Sequence, residues 1–524
     1  MLLRPENLPR DPDVLIGMVL SQAAEIEKLR AALKTINTLA FGARSERLVA
    51  LVDAGQLALD LADLATQVTP RAANDDDANP DKGAAAPKRP RPRRNIGFLP
   101  KHLARIEEVL KPETSCCPCC AGALHRIGED VSEALDVVPA ILRVIRTIRP
   151  KYACRACEGG IVQAPARPRL MDGGMATTSM IAHVVVNKFA WHLPLSRQVQ
   201  MLAGQGVHLD RSSLCKWVKR AAWWLSGLYR RQIAVIHSEG RVFCDETRMP
   251  VRRAGRKRTH NGQFWAHAID DRPWNGPAPP AVAYIFASGR GHREISQQLA
   301  DYRGLLQVDG YGGYKGLAKP GREPGVITLA FCLAHARRKF TDLYKATKSN
   351  FAQDVVARLA EIYAIEAEIR GTSAAHRLEV RQARSAPLMA QLRIELADAL
   401  ARVSMKSGLA RAIRYTLGHW AGLTLFLEDG RIEVDNNTVE RSMRPIALGR
   451  RNSLFAGNDG GAESWAILAS LLSTARLNGL DPFTWLNDVL ERIVSGAVKA
   501  HELDQLLAWN WEAARRSEPV GMVA

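Results

Sequence analysis

No apolar run in this 524-residue chain approaches the ~18–20 residues that a bilayer-spanning helix requires, which argues against a transmembrane segment. The N-terminus, MLLRPENLPRDPD, lacks the uninterrupted apolar stretch of a secretory signal. Cysteine is scarce outside one segment. Six of the nine cysteines fall between Cys116 and Cys157, and the other three, Cys215, Cys244 and Cys332, sit among mostly apolar neighbours. A disulfide framework is not the expected use of such a set. In an intracellular chain the cluster reads as metal binding and the scattered thiols as small buried hydrophobes. Negative charge is also short: 54 Asp plus Glu stand against 72 Lys plus Arg, a net charge of +18. Such an excess favours a polyanionic partner, whether DNA, RNA or an acidic protein. The expectation is a cytoplasmic protein with no membrane partner.

What is present suffices for several folded units. Hydrophobic residues make up 47% of the chain, ordinary for buried cores, and the length suggests three or four units. Residues 13–40 carry Val19, Ile26 and Leu33 at seven-residue intervals, with Leu15, Leu29 and Ile36 in the complementary positions and Gln22 as the exception. That seam predicts a coiled-coil, leucine-zipper-like helix over 13–46 and hence self-association. Residues 68–96 lack any apolar period and read as a linker. Its end, Lys88 to Arg94, holds five positive charges in seven residues and can track phosphates without reading sequence.

Residues 113–170 contain two cysteine knuckles, Cys117-Pro118-Cys119-Cys120 and Cys154-Arg155-Ala156-Cys157, separated by an expected strand pair around 131–152. Four thiolates at this spacing can close a structural Zn²⁺ site. The first knuckle has two registers, Cys117/Cys120 and Cys116/Cys119. Residues 176–235 have a helix-turn-helix outline: one helix ends near Gly204-Gln205-Gly206, and Asp210 or Ser212 caps the next. The second helix places Lys216, Lys219 and Arg220 on polar positions and Leu214, Trp217, Val218 and Ala221 on apolar ones. Basic side chains on such a helix suit a DNA groove.

From residue 240 the pattern becomes β-like, with runs at 241–252, 263–270 and 281–287, a helix at 291–301, and further runs at 304–309 and 326–331. The fold class expected is multidomain α/β with a mixed sheet. The core spans 240–480 with a helical insertion at about 340–430, and 481–524 forms a C-terminal helical segment. Asp245 closes the apolar run Val242-Phe243-Cys244, Asp309 closes Leu305-Leu306-Gln307-Val308, and Glu440 lies one turn into a helix. Two strand-end aspartates and a helical glutamate can hold two Mg²⁺ ions on a phosphodiester. Strand alternation lets only one of Asp245 and Glu246 face the metals; Glu246 then pairs with a base or a neighbouring arginine. His335 serves either as active-site support or as a buried hydrogen-bonded residue. Arg337, Arg338, Arg441, Arg444, Arg450 and Arg451 beside these motifs suit phosphate oxygens.

The motifs Asp245-Glu246-Thr247, Asp309-Gly310-Tyr311, Cys332-x-x-His335-x-Arg337-Arg338-Lys339-Phe340, Asp435-Asn436-Asn437-x-x-Glu440 and Arg444-Pro445-Ile446-Ala447-Leu448-Gly449-Arg450 stand in that order. Together they resemble the transposases of the insertion sequence 66 family over nearly the whole chain, including Phe41-Gly42-Ala43-Arg44-Ser45-Glu46 at the coil's end. The resemblance implies a DDE catalytic core with a ribonuclease-H-like fold. It also implies Mg²⁺ or Mn²⁺ bridged by Asp245 and bound singly by Asp309 and Glu440. It favours Cys117 and Cys120 with Cys154 and Cys157 as zinc ligands, because the family places Cys-Pro-x-Cys before a small residue, here Ala121. Where the family usually has Gly-Gly, this chain has Ala121-Gly122. The implied partners are double-stranded DNA (element ends and target), further copies of the chain and accessory proteins of the same element, at the bacterial nucleoid. The implied function is transposition by strand cleavage and 3′-end joining. A repurposed zinc-dependent DNA binder and a nuclease without strand transfer are the alternatives.

The cysteine module is therefore expected to contribute about one zinc ion per chain, by the four-ligand rule, in elemental analysis. Cys154→Ser and Cys117→Ser should each lower that content sharply. Folded protein without zinc would remove the assignment; loss on Cys116→Ser but not Cys117→Ser would change only the register.

Overall fold

The computed structural model describes residues 142–153, 161–253, 255 and 258–511. The expected coil at 13–46, the linker at 68–96, the four cysteines Cys117, Cys120, Cys154 and Cys157, and residues 512–524 lie outside them. Among the described residues no helix is long and apolar enough to cross a membrane. Of the strand pair expected around 131–152, residues 131–141 also lie outside the described residues. Residues 142–150 form no strand, whereas β1 (Lys151–Ala153) pairs antiparallel with β2 (Ile161–Gln163), bracketing the second knuckle in sequence.

Three helices follow, α1 (Thr178–Phe189), α2 (Leu195–Gly204) and α3 (Arg211–Ser238). The second of the expected helix-turn-helix pair runs for 28 residues. Leu214, Trp217, Val218, Ala221, Leu225, Leu228 and Ile236 recur at helical spacing and are buried. Gln232, deep in its second half, donates from Nε2 to Val282 O at 2.9 Å. Asp210 stands at the N-cap but makes no side-chain capping bond.

The expected β-like runs appear as β3 (Arg241–Val251), β4 (His260–Ile269), β5 (Ala281–Ala287), β6 (Gly304–Val308) and β7 (Ile327–Phe331), with α4 (His292–Gln298) before β6. They form one sheet in the order β5-β4-β3-β6-β7. The β5–β4–β3 pairs are antiparallel, and the β3–β6 and β6–β7 pairs are parallel. Alternation along β3 sends Phe243, Met249 and Val251 to one face and Val242 and Cys244 to the other. On the first face they join α1, α3 and the later helices in one apolar cluster. On the second they meet Ile295, Leu299, Tyr302 and Tyr314.

The helical insertion comprises α5 (Leu333–Thr347), α6 (Asn350–Ile369), α7 (Ala374–Val380), α8 (Ala386–Arg402), α9 (Gly408–Gly418) and α10 (Trp420–Thr424). It builds its own core from Leu359, Ile362, Met389, Leu392, Ile413 and Phe426. A buried ionic cluster ties this insertion to the returning chain. Arg381 grips Glu366 with two bonds of 2.7 Å, and Arg377 lies 3.3 Å from Glu366 and 2.7 Å from Glu433.

The chain then forms α11 (Asn437–Ser453), α12 (Asp459–Leu477) and α13 (Pro482–Ser495). The helices of 176–235, the sheet and α13 thus share a single apolar core. An outer strand such as β5 presents backbone groups that need partners. α12 supplies them through two hydroxyls one turn apart. Tyr284 N donates to Ser470 Oγ at 2.7 Å, and Val282 N to Thr474 Oγ1 at 3.0 Å. Ser470→Ala and Thr474→Val should each destabilise the protein by about 1–3 kcal/mol, the cost of an unsatisfied buried donor. Thr474→Ser should recover most of the loss. Urea unfolding midpoints measure this; unchanged midpoints would show that the strand edge finds other partners.

Candidate active site

Strand register brings the two aspartates together. Phe243 on β3 is paired with Gln307 on the parallel β6, and Asp245 and Asp309 each lie two residues further along. Residues two apart on a strand share a face, so both carboxylates emerge side by side at the ends of neighbouring strands. Asp245 Oδ1 accepts from Glu246 N at 2.9 Å, and Asp309 Oδ1 accepts from Tyr311 N at 2.8 Å. The chain can turn after Asp309 because Gly310 has φ +89°, and a Cβ there would sit 2.8 Å from Tyr415 Oη. That same hydroxyl donates to Asp309 O at 2.9 Å.

Glu440 must reach this place from far along the chain, and a zipper of buried bonds brings it. Gln307 Nε2 donates to Glu433 O at 2.9 Å, and Glu433 N returns a bond to Gln307 Oε1 at 3.0 Å. Leu333 N donates to Val434 O at 2.9 Å. Asn436, fully buried, donates from N to Cys332 Sγ at 3.2 Å and from Nδ2 to Cys244 O at 3.1 Å. Asn436 is also the N-cap of α11, so Glu440 follows in the first turn. The structure therefore brings Asp245, Asp309 and Glu440 to one place, and His335 joins them with Nδ1 3.7 Å from Glu440 Oε1.

The electrostatics reflect this convergence. Burial first, then the charges of Glu246, Glu440 and Asp309, holds the Asp245 carboxyl well above the usual carboxylate range. Burial lifts the Asp435 carboxyl to about 7 against the pull of the Asn437 backbone N–H. Crowded oxygen donors of this kind suit hard divalent cations. Glu246 takes the other role anticipated by strand alternation. It sits with Cys244 on the opposite face, accepting from Arg290 Nε at 2.5 Å and from Tyr314 Oη at 2.7 Å.

The basic residues differ in how much of each side chain faces solvent. Lys216 and Lys219 are exposed on α3. Arg220 is half-buried; its Nε donates to Leu170 O at 2.8 Å and its guanidinium lies 4.4 Å from the Trp223 ring centroid. Arg441, Arg444 and Arg451 lie exposed along α11, the helix that carries Glu440. Arg450 is turned inward, donating to Thr247 Oγ1 at 3.0 Å and to the Arg248 carbonyl. Arg337 is half-buried with its guanidinium 5.4 Å from the Tyr363 ring centroid, and Arg338 is half-buried beside it.

Sequence reasoning missed Asn436, Gln307 and Glu433 as positioning residues, and Tyr415 behind Asp309. Asn436 had a signal in the Asn-Asn preceding Glu440. Gln307, a polar residue inside an apolar strand, had one too, since such a residue demands buried partners. Glu433 and Tyr415 carry no local signal.

Comparison with known proteins identifies the family. Residues 173–464 match the family described as "Transposase IS66 family". Residues 470–509 match "IS66 C-terminal element", and 28–107 match "Transposase C of IS166 homeodomain". Residues 114–158 match the "zinc-finger binding domain of transposase IS66", a span containing Cys117, Cys120, Cys154 and Cys157. The uncharacterized protein y4jD of Sinorhizobium fredii is 56% identical over 98% of this chain and 99% of its own length. Another from that organism, y4qI, is 40% identical over 98% of this chain and 99% of its own length. With four family regions matched in order along its length and full-length relatives of high identity, the chain belongs to the IS66 family of transposases.

Proposed function

We propose that this transposase acts on the ends of an insertion sequence, cutting DNA strands and joining the 3′-ends to target DNA through a DDE centre of Asp245, Asp309 and Glu440. The observation that carries this reading is the convergence of these three carboxylates, two from adjacent parallel strands and one from the first turn of α11. The sheet order, with three antiparallel strands followed by two parallel ones, suits a ribonuclease-H-like core. Asp245, Asp309 and Glu440 would together hold a pair of Mg²⁺ or Mn²⁺ ions through their carboxylate oxygens. Such an ion pair, when bound, activates the attacking oxygen and offsets charge on the scissile phosphate.

The chain's own residues do the rest. The exposed Arg441, Arg444 and Arg451 follow α11 outward from Glu440 and are suited to hold DNA phosphates. Lys216 and Lys219 offer a second basic stretch on the exposed side of α3. The zinc module, the basic arm at 88–94 and the coil at 13–46 belong to end recognition and self-association in this reading. Work in the cytoplasm, at the nucleoid, follows from the DNA substrate.

Replacing Asp245, Asp309 or Glu440 with Ala should slow strand cleavage and joining about a thousandfold or more, comparable to losing a charge-neutralising group in phosphoryl transfer. Gel-shift binding to end duplexes should change little. Glu246→Ala serves as the comparison, because its carboxylate lies on the other strand face. Substantial cleavage by Asp309→Ala or Glu440→Ala would remove that residue from the set. Loss in Glu246→Ala with activity kept in Asp245→Ala would exchange the two.

A further inference from the structure

Beside the DDE carboxylates lies a second donor set of different chemistry. A sulfur of Cys332, an imidazole nitrogen of His335 and a carboxylate oxygen of Glu440 fall within 4.8 Å of one another. Cys332 is the N-cap of the 15-residue helix α5, and His335 stands in its first turn. Glu440 stands in the first turn of α11. Two helix starts therefore meet head to head, held by the bond from Asn436 N to Cys332 Sγ.

Three features mark this trio as more than packing. His335 Nδ1 is buried and makes no hydrogen bond, although it lies 3.7 Å from Glu440 Oε1. A buried ring nitrogen without a partner is costly and calls for one. The Cys332 sulfur accepts from the backbone N–H of Asn436 at 3.2 Å, although burial first, then the charges of Asp435 and Glu440, pushes its thiol well up. A bound cation would supply the positive charge that this buried sulfur needs as a thiolate, the form that binds metal. Finally, His335 and Glu440 keep 25% and 19% of their side-chain surface accessible, so the trio lies near the protein surface. Three protein ligands with one open position make a familiar tetrahedral arrangement.

Mg²⁺ prefers oxygen, whereas thiolate and imidazole select Zn²⁺ and similar ions. We propose that Cys332, His335 and Glu440 form a transition-metal site, suited to Zn²⁺ or Co²⁺, that shares Glu440 with the catalytic set. An ion there withdraws Glu440 from Mg²⁺, so this site inhibits cleavage when filled. The inhibition rests on the DDE reading above; the binding rests on the trio alone.

The test uses the full chain with its cysteine module kept zinc-loaded, titrated with Co²⁺ and read by absorption. Wild type should develop sulfur-to-cobalt charge-transfer bands together with tetrahedral d–d bands. Cys332→Ser, which keeps an acceptor for Asn436 N, should lose the charge-transfer bands. His335→Ala should weaken Co²⁺ binding by at least about tenfold, since even an outer-shell partner is worth that much. Asp309→Ala, outside the trio, should keep the full spectrum while losing cleavage. In parallel, Zn²⁺ should inhibit Mg²⁺-supported cleavage by wild type, excess Mg²⁺ should relieve it, and His335→Ala should be less sensitive. Absence of cobalt bands in wild type, or identical bands in Cys332→Ser and His335→Ala, would overturn the site. Bands without inhibition would overturn the sharing of Glu440. If Asp309→Ala still cleaves, the DDE reading fails while the cobalt result continues to decide the site.

Discussion

Like charges crowded into a half-buried space repel one another, and the architecture around Asp245 can be understood as the means of holding them there. Its carboxyl feels burial and the charges of Glu246, Glu440 and Asp309 at once. A flexible chain would move these groups apart. Asp245 and Asp309 cannot separate because they emerge from adjacent strands of one hydrogen-bonded ladder. Glu440 cannot withdraw because the segment before it is fastened to β6, to α5 and to β3 by Gln307, Leu333, Cys332 and Cys244. Strain of this kind belongs at functional sites, where the surroundings over-determine it.

The helical insertion contributes to the same end. It lies between Asp309 and Glu440 in sequence, so its shape decides where the third carboxylate returns. Its last tie is ionic: Arg377 and Arg381 converge on Glu366, and Arg377 also reaches Glu433, which is bonded through its backbone to Gln307. Buried ion pairs are weak evidence for stability, because desolvation offsets most of their attraction. Their stronger effect here is geometric. An arginine fork held on two carboxylates admits few alternative arrangements, and this one sits two residues before Asp435.

At the opposite edge of the sheet the problem is exposed backbone rather than charge. Ser470 and Thr474 from α12 complete β5. Gln232 from α3 reaches the same strand at Val282 O and α12 at Thr474 Oγ1. This is why α3 and α12 behave as part of the core and not as separate modules. It also explains the length of α3: a helix that must both support the sheet and carry Lys216 and Lys219 outward needs many turns.

Much of the fold was legible in residue pattern. The apolar runs of β3, β5, β6 and β7 marked those strands to within a residue or two, because buried strands leave periodic and continuous apolar signatures. The candidate carboxylates were legible because each closes such a run or follows a cap. The sequence alone therefore determined the strands of the five-stranded sheet, the family and the acidic residues worth testing. Tertiary structure decided what those elements do to one another. It turned Arg450 and Arg220 into internal ties, made Asn436 the latch of α11, and set Cys332, His335 and Glu440 within reach of one ion. These outcomes depend on hydrogen bonds and contacts between residues about a hundred or more positions apart, apart from the Arg220 tie to Leu170, which spans fifty. No periodicity or local propensity records such pairs, because each side chain meets its partner only after the sheet and the insertion have folded around them.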